Sequence, residues 1–206
     1  LIPPLKRPCS FPAVEPKGVV YTKRWVVELL LDLSGYCSDK NLVDTLAIEP
    51  ATGDGAFLGP MIERLIESCG NLGRSLAECD HSLIAYELDE KSAARARAVA
   101  QNILTNRGVK RPLAKRLAEA WVLNRDYLLD ADSTQADFII GNPPYIRLED
   151  IPEESASVYR DAYPTMRGRA DLYVAFFEAA LRQLKRSGVC AFICADRWMR
   201  NQYGAE

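Results

Sequence analysis

The stretch Asp137-Phe138-Ile139-Ile140-Gly141-Asn142-Pro143-Pro144-Tyr145 is a short apolar run cut off by a glycine and two prolines, the pattern of a buried strand that stops abruptly. A proline supplies no ladder N–H, and the residue before it is pushed out of the helical region, so Asn142 is expected in a rigid extended turn. Its amide then projects from the carboxyl end of a strand, where open α/β sheets bind ligands. The turn is biased toward acceptors: the Asn142 side-chain oxygen and the Asn142 and Pro143 carbonyls accept, and neither Pro143 nor Pro144 donates from its nitrogen. Such a site suits an exocyclic amino group on a flat ring. The lone pair of that group is delocalised into the ring. Acceptors on its two hydrogens return density to nitrogen and aim the lone pair at an electrophile, while Tyr145 stacks on the ring face. Alone, the same stretch also fits a strand ending in a Pro-Pro turn with a surface tyrosine, so the rest of the chain has to decide.

Upstream, Leu46-Ala47-Ile48-Glu49-Pro50-Ala51-Thr52-Gly53-Asp54-Gly55 is a strand running into a small-residue turn, with an amphipathic helix expected over 56–68. Glycines permit a tight turn and close approach of a ligand, and the helix start offers free N–H groups, so this is a cofactor loop or a plain tight βα turn. As a dinucleotide fingerprint it is broken: Leu58 stands where the third glycine belongs, and Asp54 inside the loop repels a pyrophosphate. A cofactor without phosphates, carrying positive charge, fits better. A second strand over 82–89 ends in Glu87-Leu88-Asp89; Asp89 is expected to cap the helix over 90–106, leaving Glu87 for a ribose. The polar stretch 70–81 reads as a loop insertion. Lys110, Arg111, Lys115 and Arg116 read as a solvated basic patch before a third strand over 120–123, which leads to Asp126 and Tyr127. Asp126, at a strand end, can accept from an amino group such as that of a cofactor adenine.

At the start, 1–17 is a Pro-rich extended lead-in, and a helix is expected over 23–33 with Thr22 as its N-cap and Val26, Leu29, Leu30 and Leu33 on its apolar stripe. After the opening stretch, 147–169 interleaves arginines and tyrosines and suits a substrate-facing loop. Asp171 is expected to cap a helix reaching about residue 186, with Leu172, Phe176 and Ala179 on one stripe, before a fifth strand over 189–195. This alternation predicts a doubly wound, mostly parallel Rossmann-like α/β sheet over 18–206.

The envelope is consistent with that reading. The 206 residues are 48% hydrophobic and 26% charged with a net charge of −2, an ordinary globular composition long enough for one α/β domain. The six cysteines form no Cys-x-x-Cys pair and His81 is the single histidine, which gives no basis for a metal site. Cys190 and Cys194 read as small core residues in a reducing cytoplasm. No apolar run approaches membrane-spanning length. Without an initiator methionine or a closing element, the chain is expected to be a piece of something longer.

These strand-end signals, in this order, resemble the S-adenosylmethionine-dependent adenine-N6 DNA methyltransferases of bacterial and archaeal restriction-modification systems, the type IIG or Eco57I-like group above all. The resemblance runs from Gly18 to the end. It implies S-adenosyl-L-methionine as cofactor, with Tyr21 and Thr22 at its methionine end, Glu49, Pro50, Ala51, Gly53 and Gly55 in the cofactor loop, Glu87 with Leu88 at the ribose, and Asp126 with Tyr127 beside the adenine. Asn142, Pro143, Pro144 and Tyr145 match the catalytic turn in all four letters, Asn142 also facing the cofactor. The helix of Gly168-Arg169-Ala170-Asp171-Leu172-Tyr173 carries Phe176 toward the cofactor adenine, and Arg200-Asn201-Gln202-Tyr203-Gly204 also resembles the family. The implied partner is double-stranded DNA, with target recognition in a C-terminal domain or separate specificity subunit and no membrane role. Lys23 replaces a frequent proline, and Glu49 and Thr52 replace a frequent Asp and Cys, without removing a needed group. Two alternatives stay open: an amino methyltransferase acting on protein glutamine or RNA guanine, and a non-catalytic subunit of a restriction complex.

Overall fold

A computed structural model describes residues 22–131, 134–166 and 170–195. The Pro-rich lead-in, Tyr21, Gly168, Arg169 and the stretch 200–204 lie outside the described residues. Five strands, β1 (Ala47–Glu49), β2 (Leu83–Glu87), β3 (Val122–Asn124), β4 (Ala136–Gly141) and β5 (Leu184–Phe192), pair in the order β3-β2-β1-β4-β5. Every pairing is parallel, with Ala47 opposite both Leu83 and Phe138, and Ile139 opposite Cys190. The chain steps outward from β1 to β3 and then returns to place β4 on the other side of β1. That reversal opens a crevice at the carboxyl ends of β1 and β4, which is where such sheets take ligands.

The helices α1 (Arg24–Ser34), α2 (Leu58–Leu72), α3 (Glu90–Asn106), α4 (Arg111–Trp121), α5 (Tyr127–Asp130), α6 (Glu153–Ala162) and α7 (Tyr173–Gln183) complete the fold. Side chains alternate across a strand, so each strand feeds two cores. Ala47, Leu83, Ala85 and Ile140 pack with Leu31, Met61, Ala96 and Trp121 on one face, while Ile48, Tyr86 and Ile139 pack with Tyr127, Tyr159 and Phe176 on the other. The expected doubly wound α/β architecture is what the chain adopts. Among the described residues no helix is long and apolar enough to cross a membrane.

Several local expectations are overturned. Thr22 does not cap α1; the N-cap is Lys23, with no side-chain hydrogen bond, and Thr22 bonds the Asn142 side chain instead. The helix also turns a different stripe inward: Val27, Leu31 and Ser34 are buried while Leu29 and Leu33 are exposed. The solvated basic patch is present, with Lys110, Arg111, Lys115 and Arg116 exposed, but it lies on a helix the sequence reading does not include, α4, whose Ala114, Leu117, Ala118 and Trp121 are buried; the strand begins only at Val122, and Trp121 Nε1 donates to the Cys79 carbonyl at 2.8 Å. Within 70–81, α2 continues to Leu72 and Leu76–Glu78 forms a 3-10 turn closed by a Ser75/Glu78 capping box. Within 147–169, α6 replaces the expected loop. Asp171 does not cap α7, whose N-cap is Leu172; its backbone bridges Arg147. The fifth strand starts at Leu184, directly from the helix, and ends at Phe192, so Cys194 lies beyond it. The expected Asp89 cap is present: its Oδ2 accepts from the Ser92 N–H at 2.8 Å.

Candidate active site at the crevice between β1 and β4

The turn Asn142-Pro143-Pro144-Tyr145 leaves β4 at Gly141, where the absence of a side chain matters. A Cβ there would stand 3.3 Å from Pro50 Cδ, so Gly141 lets the backbone of this strand close on the loop that follows β1. Pro143 is buried, and Asn142, Pro144 and Tyr145 are half-buried. The Asn142 Nδ2 donates to Thr22 Oγ1 at 3.1 Å. Its Oδ1 is buried and has no hydrogen-bond partner among the described residues. A buried acceptor without a donor is costly, roughly 1–3 kcal/mol, and marks a place awaiting one. Tyr145 lies 6.2 Å from the Tyr173 ring, and burial raises its hydroxyl pKa to about 12, so it stays a neutral phenol. Beside it opens a cavity of 270 Å³ lined by Tyr145, Arg147, Asp171 and Ala195.

The loop after β1 is braced from within. The Thr52 hydroxyl donates to Glu49 Oε2 at 2.7 Å, and the Thr52 N–H donates to the Tyr86 carbonyl at 2.9 Å, which joins the loop to β2. Glu49 is 1% exposed, and burial pushes its carboxyl pKa up to about 8. Gly53 and Gly55 take φ of 51° and 81°, left-handed values that non-glycine residues rarely adopt. The Gly53 N–H donates to Glu87 Oε2 at 2.8 Å, while Glu87 Oε1 accepts from the Asp89 N–H at 2.9 Å. Pro50 is buried and Ala51 half-buried in the same loop, and Leu88 is 49% exposed beside Glu87. Replacing Gly55 with Ala is expected to destabilise the fold by about 1–2 kcal/mol through backbone strain alone. The added methyl meets Val99 at an ordinary 3.7 Å. A urea midpoint unchanged from the parent would contradict this.

At the far side, Asp126 follows β3 with both oxygens engaged: Oδ1 accepts from the Leu128 N–H at 2.8 Å and Oδ2 from the Tyr159 hydroxyl at 2.6 Å. Burial raises its carboxyl pKa against the opposing pull of these bonds. Tyr127 and Phe176 stack with ring centroids 5.6 Å apart, both almost wholly buried. Two contributors escaped the sequence reading. Tyr159, which holds Asp126, comes from α6; the tyrosines interleaved through 147–169 were the available signal. Asn124 Nδ2 donates to the carbonyls of Glu87 and Leu88, both at 2.9 Å, and knits the ends of β2 and β3. Thr22, Glu49, Gly53, Glu87 and Asn142 thus meet along one crevice, with Asp126 at the end of the neighbouring β3.

Comparison with known proteins agrees with this geometry. A family model described as Eco57I restriction-modification methylase matches residues 64–206, more than half of the chain. The type II methyltransferase M.XhoI of Xanthomonas vasicola is 40% identical over 192 residues, covering 91% of this chain and 35% of that protein. M.PaeR7I of Pseudomonas aeruginosa is 38% identical over 194 residues, covering 93% and 34%. The chain therefore spans about a third of the length of these relatives. A Listeria monocytogenes structure described as a class I S-adenosylmethionine-dependent methyltransferase superposes with a TM-score of 0.57 at 16% identity, covering 88% of this chain and 47% of that one. The fold is the class I methyltransferase fold, and the chain belongs to the Eco57I restriction-modification methylase family.

Proposed function

We propose that this chain is the cofactor-binding and catalytic part of a cytoplasmic DNA methyltransferase that transfers a methyl group from S-adenosylmethionine to the N6 amino group of an adenine. The observation that carries the reading is the buried, unpartnered Asn142 Oδ1 at the crevice between β1 and β4. The cofactor side fits the same ligand. Gly53 and Gly55 leave room for close approach, Glu87 supplies carboxylate oxygens for ribose hydroxyls, and no cluster of cations asks for a pyrophosphate in the loop. When bound, the cofactor supplies an electrophilic methyl on a sulfonium.

The chain's own residues do the rest. Asn142 Oδ1 and the Pro143 carbonyl accept the two amino hydrogens, which turns the nitrogen lone pair toward the methyl and stabilises the positive charge that grows on nitrogen. Holding nitrogen and methyl in line converts an encounter into a unimolecular step. In duplex DNA the N6 group is paired, so the base leaves the stack at a cost of a few kcal/mol. Stacking on Tyr145 offsets about 1–3 kcal/mol of that. Target recognition is assigned to a C-terminal domain or specificity subunit.

The type II methyltransferase names of the relatives favour DNA over glutamine or RNA guanine as acceptor. The test uses the full-length protein that contains this chain, labelled S-adenosylmethionine, and a mixture of duplex DNA, RNA and protein acceptors, followed by digestion to nucleosides and amino acids. Label is expected in N6-methyladenine. Label in glutamine or guanine would sink the adenine assignment, and cofactor binding without any transfer would point to a non-catalytic subunit.

A further inference from the structure

Two tyrosines one turn apart on α6 reach across to α5. The Tyr163 hydroxyl donates to the Leu128 carbonyl, and the Tyr159 hydroxyl bonds Asp126 Oδ2 at 2.6 Å. The first contact ends on backbone. The second ends on a carboxylate that already has a helical task, since Asp126 caps α5 through Oδ1, which accepts from the Leu128 N–H at 2.8 Å. Capping needs one oxygen only, so the helix does not explain the bond to the other. The direction of that bond is fixed by its acceptor. An ionised carboxylate cannot donate, so the phenol supplies the hydrogen. Burial and the charge of Asp126 hold the Tyr159 phenol above its ordinary pKa of 10, which keeps that hydrogen in place.

Each carboxylate oxygen has two acceptor directions, so one bond on each oxygen leaves each with one to spare. Asp126 is half-buried whereas Tyr159 is 3% exposed, so what a ligand can reach here is the carboxylate and not the phenol. We propose that Tyr159 is a positioning residue: its hydroxyl pins the second oxygen of Asp126, so that the carboxylate presents fixed acceptors to the amino group of the cofactor's adenine. This rests on the reading of Asp126 as the acceptor for that group. Without the Tyr159 hydroxyl the cap still holds Oδ1, but the carboxylate gains freedom about its last torsion, which is broad and roughly twofold. The preference for an amino group then falls. A ligand that lacks the amino group is indifferent to the change, because it makes no use of the Asp126 acceptors.

The test uses the full-length protein that contains this chain and two ligands, S-adenosylhomocysteine and its 6-deamino analogue, in which hydrogen replaces the amino group of the purine. Calorimetric affinities give a selectivity ratio, which a general loosening of the site leaves alone because both ligands then weaken together. The parent is expected to prefer S-adenosylhomocysteine by about tenfold to a hundredfold, the scale of a hydrogen bond to a charged group. Tyr159→Phe keeps the buried ring and removes the oxygen. It is expected to lower the ratio by about fivefold, with affinity for the deamino analogue within about twofold of the parent. Tyr163→Phe removes the neighbouring hydroxyl from α5 without touching the carboxylate, and is expected to keep the parental ratio. Asp126→Ala is expected to abolish the preference, and adding Tyr159→Phe in that background is expected to change the ratio no further.

Three results would overturn the proposal: Tyr159→Phe with the parental ratio, whether or not both ligands weaken; Tyr163→Phe lowering the ratio as far as Tyr159→Phe does; or an undiminished effect of Tyr159→Phe in the Asp126→Ala background, which would mean that the phenol touches the ligand itself. The parent is measured first with both ligands. A parent that binds neither, or both equally, overturns the reading of Asp126 and this inference with it. A parent that prefers the amino ligand, paired with an unaffected ratio in Tyr159→Phe, removes only the role of Tyr159.

Discussion

Asn142→Ala is expected to lower the single-turnover rate of methyl transfer by about a hundredfold to a thousandfold, the loss of one preorganised contact to developing charge. S-adenosylmethionine affinity should stay within about threefold, because the contacts that shape the cofactor loop run through Glu49, Thr52, Gly53 and Glu87 rather than through the Asn142 side chain. The fold should survive as well. The Asn142 amide makes a single hydrogen bond among the described residues, to Thr22, so its removal costs stability only about 1 kcal/mol. Removing a buried acceptor that has no donor among the described residues offsets part of that cost in the free protein. The informative quantity is therefore the ratio between the two losses, read from quench-flow rates and calorimetric binding on the same preparation. Equal losses in rate and cofactor affinity would mean that Asn142 shapes the cofactor site and that another group orients the substrate.

How much of this was legible in the sequence differs by element, and the reasons are physical. The strands β1, β2 and β4 are apolar runs that end in loops rich in Gly, Pro or acid, and the alternation with α3 is marked by the Asp89 cap. These signals are local, and they carried the fold. The phase of α1 was not local. Leu29 and Leu33 look as apolar as Val27 and Leu31, and only the packing of α1 against β4, β5 and α2 selects which stripe is covered. In α4 the buried Ala114, Leu117, Ala118 and Trp121 recur at helical spacing, while Arg111, Lys115 and Arg116 make its outer face the solvated basic patch, and that run of charge masks the helical period. In the candidate site, the residues at strand ends were legible because the strands aim them. The bonds from Thr22 to Asn142 and from Tyr159 to Asp126 were not, because each joins segments brought together only by the completed fold.

Glu49→Gln is expected to reverse its effect on stability with pH. In the folded protein burial holds the Glu49 carboxyl pKa at about 8, against an ordinary 4.5. The folded state therefore binds the proton more tightly than the unfolded state. Its contribution to stability is fully present below pH 4.5 and is lost as pH rises toward 8. At about 1.4 kcal/mol per pH unit, the loss across that window is on the order of 5 kcal/mol. Glutamine cannot ionise and keeps an oxygen for the Thr52 hydroxyl, so the variant lacks this slope. The variant should match or fall below the parent near pH 5 and exceed it by several kcal/mol, on the order of 3, near pH 8. Glu87 and Asp126 also have raised pKa values and add slopes of the same sign, whereas Glu28 and Asp89 are lowered and act oppositely at more acid pH. The difference between parent and variant cancels these shared terms, which is why urea titrations of both across pH 5–8 isolate Glu49. Parallel curves would mean that Glu49 is already ionised in the folded protein at pH 5. An ionised Glu49 beside Glu87 would place two negative charges under the cofactor loop, and a positively charged ligand would then stabilise the fold far more at pH 8 than a neutral analogue does.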